Sequence, residues 1–425
     1  MLGLANALSY SPTVVDRKYS AYFDGTGDYI DTGDTFQSTI RGDFSWSLWV
    51  KPDDGQPGAN STLIGTHKGT TNLFTIEIMP TGKVKVFHAA NNDHANYETV
   101  NAVFPNGACD WTHIAVRAQY TDGGADTSYD IYINGYVVNG TLTNATSEAN
   151  HEAYTNDLNF YIGGKNDDGS LANPFTGYID EVAFFRSHLS GVEIAAIYNS
   201  GRPFDLGNDL GDYDQASNLK LYYKMFDGLF DDRVNGIVHD NGLNAGSNGY
   251  GSQLWDGTDG DDANWVTYSG GTGNTKAEVD GAVEITYVDH AFGAYHYFRD
   301  TKDLNTDLTV GATYKITFQT KVNTGSANWQ VNSQEGGTPI TYLSEAITST
   351  DFVTVAIYFV ATNATTAFIR GFNMGTGEKL YIKNISLKKL NGFPGIASGN
   401  TTFNTSTPHT QAMSSVATFD GTGDY

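Results

Sequence analysis

The apolar residues of this chain fall in short runs that alternate with polar ones, and the gaps between runs are rich in Gly, Asn, Asp, Ser and Thr. FSWSLWV at 44–50, FTIEI at 74–78, KVKVF at 83–87, WTHIAVRA at 111–118 and YDIYI at 129–133 are of this kind. A period of two sends successive side chains to opposite faces of an extended backbone, so these runs predict strands. Asn134-Gly135, between YDIYI and YVV, is a strong two-residue hairpin signal, and the MPTG turn at 79–82 joins the runs on either side of it. Runs at 19–30, 158–162 and 178–185 complete this first set. One window reads as a helix. Ser190-Gly191-Val192-Glu193 is a capping box, Ile194, Ile197 and Tyr198 share the face beyond it, Gly201 ends the helix and Pro203 stops its continuation. A single short helix among eight or more strands predicts a sandwich or jelly roll and not an α/β enzyme fold.

With 425 residues the chain exceeds one ordinary domain, so two or three are expected. Only 17% of residues are charged while 13% are aromatic, a composition that folds. The balance of 24 Lys+Arg against 48 Asp+Glu gives a net charge of −24, which argues against a grip on nucleic acid or anionic membrane. The single cysteine, Cys109, excludes an intramolecular disulfide and a four-cysteine zinc site. No apolar run approaches the length of a membrane-spanning helix. MLGLANALSY at the start lacks a basic region and a long apolar stretch, so it does not read as a secretory signal.

FDGTGDY occurs twice, at 23–29 and again at 419–425. A lone terminal strand has no sheet of its own, so the second copy reads either as the start of another unit in a longer chain, which is favoured, or as a strand that pairs with another subunit. The expected organisation is an attachment segment at 1–18, a first β-sandwich at 19–204, an irregular connector with one strand (LKLYYKMF) at 205–250, a second β-sandwich at 251–390, a linker at 391–415, and the first strand of a further unit at 416–425. In the second sandwich, strands are expected near 282–287, 294–298, 313–320, 353–360, 367–371 and 380–387. The linker reading rests on Gly, Pro, Ser and Thr with almost no charge.

Four stretches together resemble the laminin-G-like jelly rolls of the concanavalin A-like lectin/glucanase superfamily: FDGTGDYIDTG, FSWSLWVKP, WTHIAVRAQ…YDIYINGYVV, and LNFYIGGKNDDG…NPFTGYIDEVAFFRSHLSGVEIAAIYNSG. The resemblance covers residues 20–201 and implies two antiparallel sheets packed face to face. LTVGATYKITFQTKV, DFVTVAIYFVAT and EKLYIKNISLKKL resemble the galactose-binding-like carbohydrate-binding modules. The fold class expected is therefore all-β: tandem antiparallel sandwiches, a concanavalin A-like jelly roll and then a galactose-binding-like one. The MLGLANALS opening followed by such modules resembles virion structural proteins of tailed bacteriophages, such as capsid fibres, decoration proteins and tail fibres.

Hydrolases of the superfamily carry E-x-D-x-E or E-x-D-x-x-E on one strand, where alternation gathers the carboxylates on one face. The only E-x-D here is Glu278-Val279-Asp280, and the third position falls on Ala282 or Val283. There is no G-x-S-x-G, no H-E-x-x-H, and neither Gly82-Lys83 nor Gly164-Lys165 is followed by the Ser or Thr of a P-loop. His113 reads as a packed strand residue.

The superfamily resemblance implies a calcium ion shared by aspartates near the first and last strands, which here are Asp24 and Asp180, with Asp28 beside them; Asx turn-capping is the plain alternative for Asp24 and Asp28. Asn166-Asp167-Asp168 reads as a solvated acidic loop. Candidate sugar-stacking rings are Trp49, Tyr295, Tyr297 and Trp329. Trp46 and Trp49 point to opposite sides of their strand, so at least one belongs to the core. Arg41-Gly42-Asp43 reads as a polar loop ahead of a strand. Lys379, Lys383, Lys388 and Lys389 read as protection of an exposed sheet edge.

The function expected first is a non-enzymatic virion surface protein that adheres to glycans, with other virion proteins and cell-surface glycans as partners and a symmetric homo-oligomer, such as a trimer, as its state. A bacterial extracellular glycan-binding protein is the second expectation. A polysaccharide-degrading enzyme is the last.

Overall fold

The structure, a computed structural model, describes residues 19–406 except 70–71, 91–92, 121–126, 144–153, 202, 226, 228–230, 232–235, 242–249, 255–264, 268–274, 289–297, 301–303, 305, 333–340, 365–367, 373 and 400. It is nearly all β and divides into two units. Unit 1 is Met1–Gly249 together with Gly392–Tyr425, and unit 2 is Tyr250–Asn391, so the second is inserted in the sequence of the first.

Unit 1 opens with β1 (Ser20–Asp24), β2 (Tyr29–Asp31), the short α1 (Gln37–Ile40), β3 (Phe44–Pro52) and β4 (Ser61–Lys68). β5 (Asn72–Ile78) and β6 (Val84–Ala90) form the expected hairpin, followed by β7 (Asp93–Thr99) and β8 (Thr112–Tyr120). β9 (Thr127–Ile133) and β10 (Tyr136–Val138) flank Asn134-Gly135, whose φ values of 51° and 80° are those a type I′ turn requires. β11 (Gly140–Thr143), β12 (Tyr161–Ile162), β13 (Lys165–Asp167), β14 (Ser170–Ala172) and β15 (Thr176–Phe185) precede α2 (Gly191–Tyr198), after which come β16 (Leu219–Tyr223) and β17 (Ile237–Val238). The capping box is formed: Glu193 N donates to Ser190 Oγ at 3.2 Å and Ser190 N donates to Glu193 Oε2 at 2.6 Å.

Unit 2 contains β18 (Tyr250–Gln253), β19 (Trp265–Thr267), β20 (Thr275–Val279), β21 (Ala282–Thr286), β22 (Phe298–Asp300), β23 (Thr313–Val322), β24 (Ala327–Asn332), β25 (Thr341–Ile347), β26 (Val353–Val360), β27 (Phe368–Phe372) and β28 (Lys379–Leu390). The chain then returns to unit 1 as β29 (Gly395–Ser398) and β30 (Thr402–Asn404).

Unit 1 is two sheets packed face to face. The first runs β10-β9-β8-β3-β15-β1-β30, with β16 on β15; the second runs β11-β7-β6-β5-β4-β12-β2-β29-β17, with β13 on β4 and β14 on β13. Alternation puts Phe44, Trp46, Leu48, Ile114, Val116, Ile179 and Phe184 of the first sheet against Ile30, Ile64, Phe74, Ile76, Val86 and Ile162 of the second. Trp46 stacks on Phe184 with centroids 4.0 Å apart. The 19–30 run, expected as one strand, is two: β1 lies in the first sheet and β2 in the second. Gly25 and Gly27, at φ 80° and 86°, turn the chain from one sheet to the other.

Unit 2 is also two sheets: a third, β20-β21-β28-β23-β26 with β18 on β28, and a fourth, β19-β22-β27-β24-β25. In β23, Tyr314, Ile316, Phe318, Thr320 and Val322 are buried and the residues between them are half-buried.

Three expectations are corrected by this topology. Residues 391–415 are not simply a linker, because β29 pairs with β2 and β30 with β1, satisfying backbone groups those strands would otherwise leave open. Segment 205–250 is more than a connector: β16 extends the first sheet, and Phe204, Leu206, Tyr213 and Tyr222 are buried in a second apolar cluster. The lysine-bearing β28 is no sheet edge. It lies between β21 and β23, so edge protection does not explain its lysines. Residues 1–18 and 416–425 lie outside the described residues.

Candidate functional site

The two outer faces of unit 1 differ. On the first sheet, α2 and residues 204–216 lay a packed layer over Ala115, Tyr132, Ala183, Phe185 and Tyr222. Trp49 points into this cover and is only 4% exposed, its ring between His113 (5.3 Å) and Tyr198 of α2 (5.6 Å). Trp49 therefore offers no ring face to a sugar, which corrects the expectation made of it. His113 is fully buried with Nε2 2.9 Å from Ser47 Oγ, and desolvation pushes its pKa down to about 3. It is a packed strand residue, neutral at ordinary pH.

Beyond that layer the first sheet keeps a half-exposed row of Tyr22, Tyr178 and Lys51 on one side, and the half-exposed Arg117–Asp130 pair with exposed Gln119 and Ser128 on the other. Tyr22 Oη donates to Asp53 at 2.9 Å, and this bond, helped by partial burial, pushes Tyr22 up to about 12.

The second sheet carries no such layer among the described residues. Register aligns Asp31 (β2), Tyr161 (β12), Gly65 (β4), Thr75 (β5), Phe87 (β6), Asn96 (β7) and Thr143 (β11) in one row across seven strands. These residues face outward because their neighbours Ile30, Ile162, Ile64, Phe74, Val86 and Ala95 face the core. A second row is Glu77, Lys85 and Glu98, and a third is His67, Leu73, Ala89 and His94. The middle of the face is a recessed floor: Gly65, Leu73, Thr75 and Glu77 are buried and Lys85 is only 12% exposed, whereas Asp31, His67, Phe87, His94 and Asn96 around them are half-exposed.

The sheet forks at this floor. Gly65 is opposite Tyr161 in one branch and opposite Lys165 in the other, because the chain reverses at Gly163-Gly164 and runs back parallel to β4. On the β13 branch, Asp167 accepts from His67 Nδ1 at 2.7 Å and from Lys165 Nζ at 3.0 Å. Burial alone would raise the Asp167 carboxyl, but Lys165 and His67 outweigh it and hold it below its ordinary value. The Asn166-Asp167-Asp168 stretch is thus the tip of a hairpin tied to β4, not a plain solvated loop. On the other branch, burial raises Asp31 despite hydrogen bonds from Gly33 and Asn159, and Tyr29 stacks on Tyr161 at 4.1 Å and 18° from parallel. Across the floor, Glu77 is held by Lys85 Nζ at 2.7 Å and Asn60 Nδ2 at 2.9 Å. Lys85 Nζ also sits 5.6 Å over the Phe87 ring. Two polar atoms in the row, Thr75 Oγ1 and Asn96 Oδ1, are buried without a hydrogen-bond partner among the described residues.

The expected calcium ligands do not converge. Asp24 N donates to Asp28 Oδ2 at 2.9 Å and Thr26 N to Asp24 Oδ1 at 2.6 Å, the turn-capping geometry of the sheet-to-sheet corner. Asp24 is exposed and opposite Thr176, whereas Asp180 is buried four residues further along β15, roughly 13 Å away at strand rise. Asp180 Oδ1 instead accepts from Glu181 N at 2.8 Å. The residues do not fit an ion shared by Asp24 and Asp180, and no group of three His, Cys, Asp or Glu gathers elsewhere among the described residues.

Tyr295 and Tyr297 lie outside the described residues; Trp329 is on β24, and its side chain also lies outside them. Glu278-Val279-Asp280 ends in the β20–β21 turn, with Asp280 at φ 51°. Arg41-Gly42-Asp43 is structural: Arg41 Nε donates to Tyr154 O at 2.7 Å and Asp43 accepts from Tyr120 N at 2.8 Å.

Sequence reasoning named none of Tyr29, Asp31, His67, Phe87 or Tyr161 as a site residue. Their alternation with core residues was visible, but their meeting depends on register between strands far apart in the chain.

Residues 24–195 match the family model described as the concanavalin A-like lectin/glucanases superfamily. No curated protein matches the chain. Among solved structures, it is similar to the CBM40 of a Ruminococcus gnavus IT-sialidase, with 18% identity, 44% of this chain and 99% of that chain covered, and a TM-score of 0.33. A putative carbohydrate-binding protein from Bacteroides ovatus has 20% identity, coverage of 53% and 55%, and a TM-score of 0.36. A CBM4 structure has 20% identity, coverage of 32% and 99%, and a TM-score of 0.25. Over residues 24–195 unit 1 is similar to that superfamily, and it is two antiparallel sheets packed face to face.

Proposed function

We propose that this protein is a non-enzymatic glycan-binding protein and that unit 1 holds sugar on the outer face of its second sheet. One observation carries the reading. The middle of the first sheet's outer face is covered by α2 and residues 204–216, while the second presents a seven-strand row of rings and hydrogen-bonding groups around a recessed glycine floor. Half-exposed Tyr29, Phe87 and His94 supply ring faces for sugar C–H groups. Asp31, Asn96, Lys85 and the His67–Asp167 pair supply donors and acceptors for hydroxyls.

The non-catalytic part rests on the missing carboxylate motif and on the commitment of Glu77 to Lys85 and Asn60. Glu77 is also three strands from Asp31, roughly 14 Å at ordinary strand spacing, beyond the separations of about 5–9.5 Å used in glycoside hydrolysis.

Its setting is proposed as a virion surface, in several copies that turn weak single sites into avidity for cell-surface glycans. That setting is supported by the resemblance of the MLGLANALS stretch alone; export to the outside of a bacterial cell is the other setting. A glycan array with the whole chain, paired with an assay for reducing ends, tests the binding reading. Binding without release supports it, and release of reducing ends or no binding overturns it. Electron microscopy of particles with a labelled antibody tests the setting.

A further inference from the structure

The lysines of β28 have no edge to protect, so they need another explanation. β28 is central in the third sheet of unit 2, and its outward residues form rows with those of β23, β21 and β26. One row is Glu284, Tyr381 and Lys321; the next includes Lys383, Gln319 and Thr354; a third is Ser386, Thr317 and Ala356; a fourth contains Lys388, Lys315 and Tyr358. The inward alternates Ile285, Ile316, Phe318, Leu380, Ile382 and Leu387 are core.

Two cationic ends result. At one, Lys321 Nζ lies 4.9 Å over Tyr381 and 4.8 Å over Phe352, and Lys383 Nζ is 3.9 Å over the same Phe352 ring. At the other, Lys315 Nζ is 4.8 Å over Tyr358 and 5.8 Å over Tyr250. The two ends are six residues apart along β23, roughly 20 Å. Between them Thr317, Gln319, Ser386 and Asn384 make an uncharged strip in which Asn384 donates to Gln319 at 2.6 Å. Glu284 is the carboxylate in these rows, and Lys379 takes it at 2.8 Å. Lys321, Lys383 and Lys388 form no ion pair among the described residues.

We propose that this face of unit 2 binds an anionic polysaccharide, with Lys321 and Lys383 at one end and Lys315 and Lys388 at the other meeting carboxylates or sulfates, and the strip between them meeting hydroxyls. The rings hold the ammonium groups outward over apolar surface. The occupant follows from charge. Widely spaced cations with a hydroxyl-binding strip between them complement a polymer whose charges are separated by sugar hydroxyls. Duplex nucleic acid, with one charge about every 1.7 Å, meets too few cations here and a chain of net charge −24.

The test is equilibrium binding of the full chain to polygalacturonate, chondroitin sulfate, neutral dextran and duplex DNA. Binding to at least one of the two anionic glycans and not to dextran is expected, weakening at least tenfold from about 20 mM to about 300 mM salt. Lys321→Gln with Lys383→Gln should cost at least tenfold, while Lys321→Arg with Lys383→Arg keeps the affinity and controls for folding. Loss in both double variants, retention in the Gln variant, no binding of either anionic glycan, or equal binding of DNA overturns the proposal. Because the substitutions are in unit 2, any ligand of the unit 1 face should bind the Gln variant unchanged, so the two readings fail separately.

Discussion

Gly65 is directly opposite Thr75, and a Cβ placed on it would come 2.8 Å from Thr75 Cγ2 and 3.0 Å from Thr62 Cγ2. The floor of the candidate face is closed to even one added carbon. Gly65→Ala should cost about 1–3 kcal/mol as β4 and β5 are forced apart, measured as a lower midpoint in urea. An unchanged midpoint would show that the floor is looser than described.

The Lys85–Glu77 pair predicts an asymmetric response. Both side chains are nearly buried, at 12% and 5% exposure. Lys85→Met strands a buried carboxylate and should cost about 3–5 kcal/mol, while Lys85→Met with Glu77→Met should recover most of that loss. Equal losses in the single and double variants would mean the pair contributes little beyond packing.

Stability should fall on acidification through His113. Its folded pKa, about 3, is below the unfolded value near 6.5, so the unfolded chain takes up the proton first. The contribution of neutral His113 is complete above about 6.5 and is lost, at up to about 1.4 kcal/mol per pH unit, as pH drops toward 3. Urea midpoints of the parent and His113→Gln, compared from pH 7.5 to 4.5, should diverge at neutral pH and converge in acid. Parallel curves would contradict this.

A chain ending at Asn391 loses β29 and β30 and should destabilise unit 1, although unit 1 begins far earlier in sequence. Gly395 packs against Ile30 and Tyr223, and Tyr223 Oη donates to Phe393 O at 2.6 Å. The expected result is a lower thermal midpoint for unit 1 and increased dye binding to exposed apolar surface. A thermal transition identical to that of the parent chain would show that the returning strands are dispensable.

What was legible in the sequence was local. The period-two runs gave β3, β6 and β9, Asn134-Gly135 gave its hairpin, and Ser190 with Glu193 gave the cap of α2, because each depends on neighbours a few residues away. The segment holding β29 and β30 has the sequence of a linker, because Gly, Ser and Thr carry little strand preference of their own; the open sides of β1 and β2 make them strands. Trp49 was seen to face away from Trp46, yet nothing in the alternation told that α2 and Tyr198 cover that side. Asp24, Asp28 and Asp180 matched a ligand pattern in one dimension, and register separated Asp180 from the other two. The row from Asp31 to Thr143 joins strands more than a hundred residues apart in sequence, which no local pattern encodes.

The most direct test of the account is a pair of calorimetric titrations with whichever glycan the array identifies for unit 1. One uses Phe87→Ala on the second sheet's outer face, and the other uses Tyr178→Ala on the half-exposed row of the first. Loss of at least tenfold in affinity with Phe87→Ala, and none with Tyr178→Ala, is the predicted result. Full affinity in Phe87→Ala with loss in Tyr178→Ala would contradict the account and move the site to the opposite face.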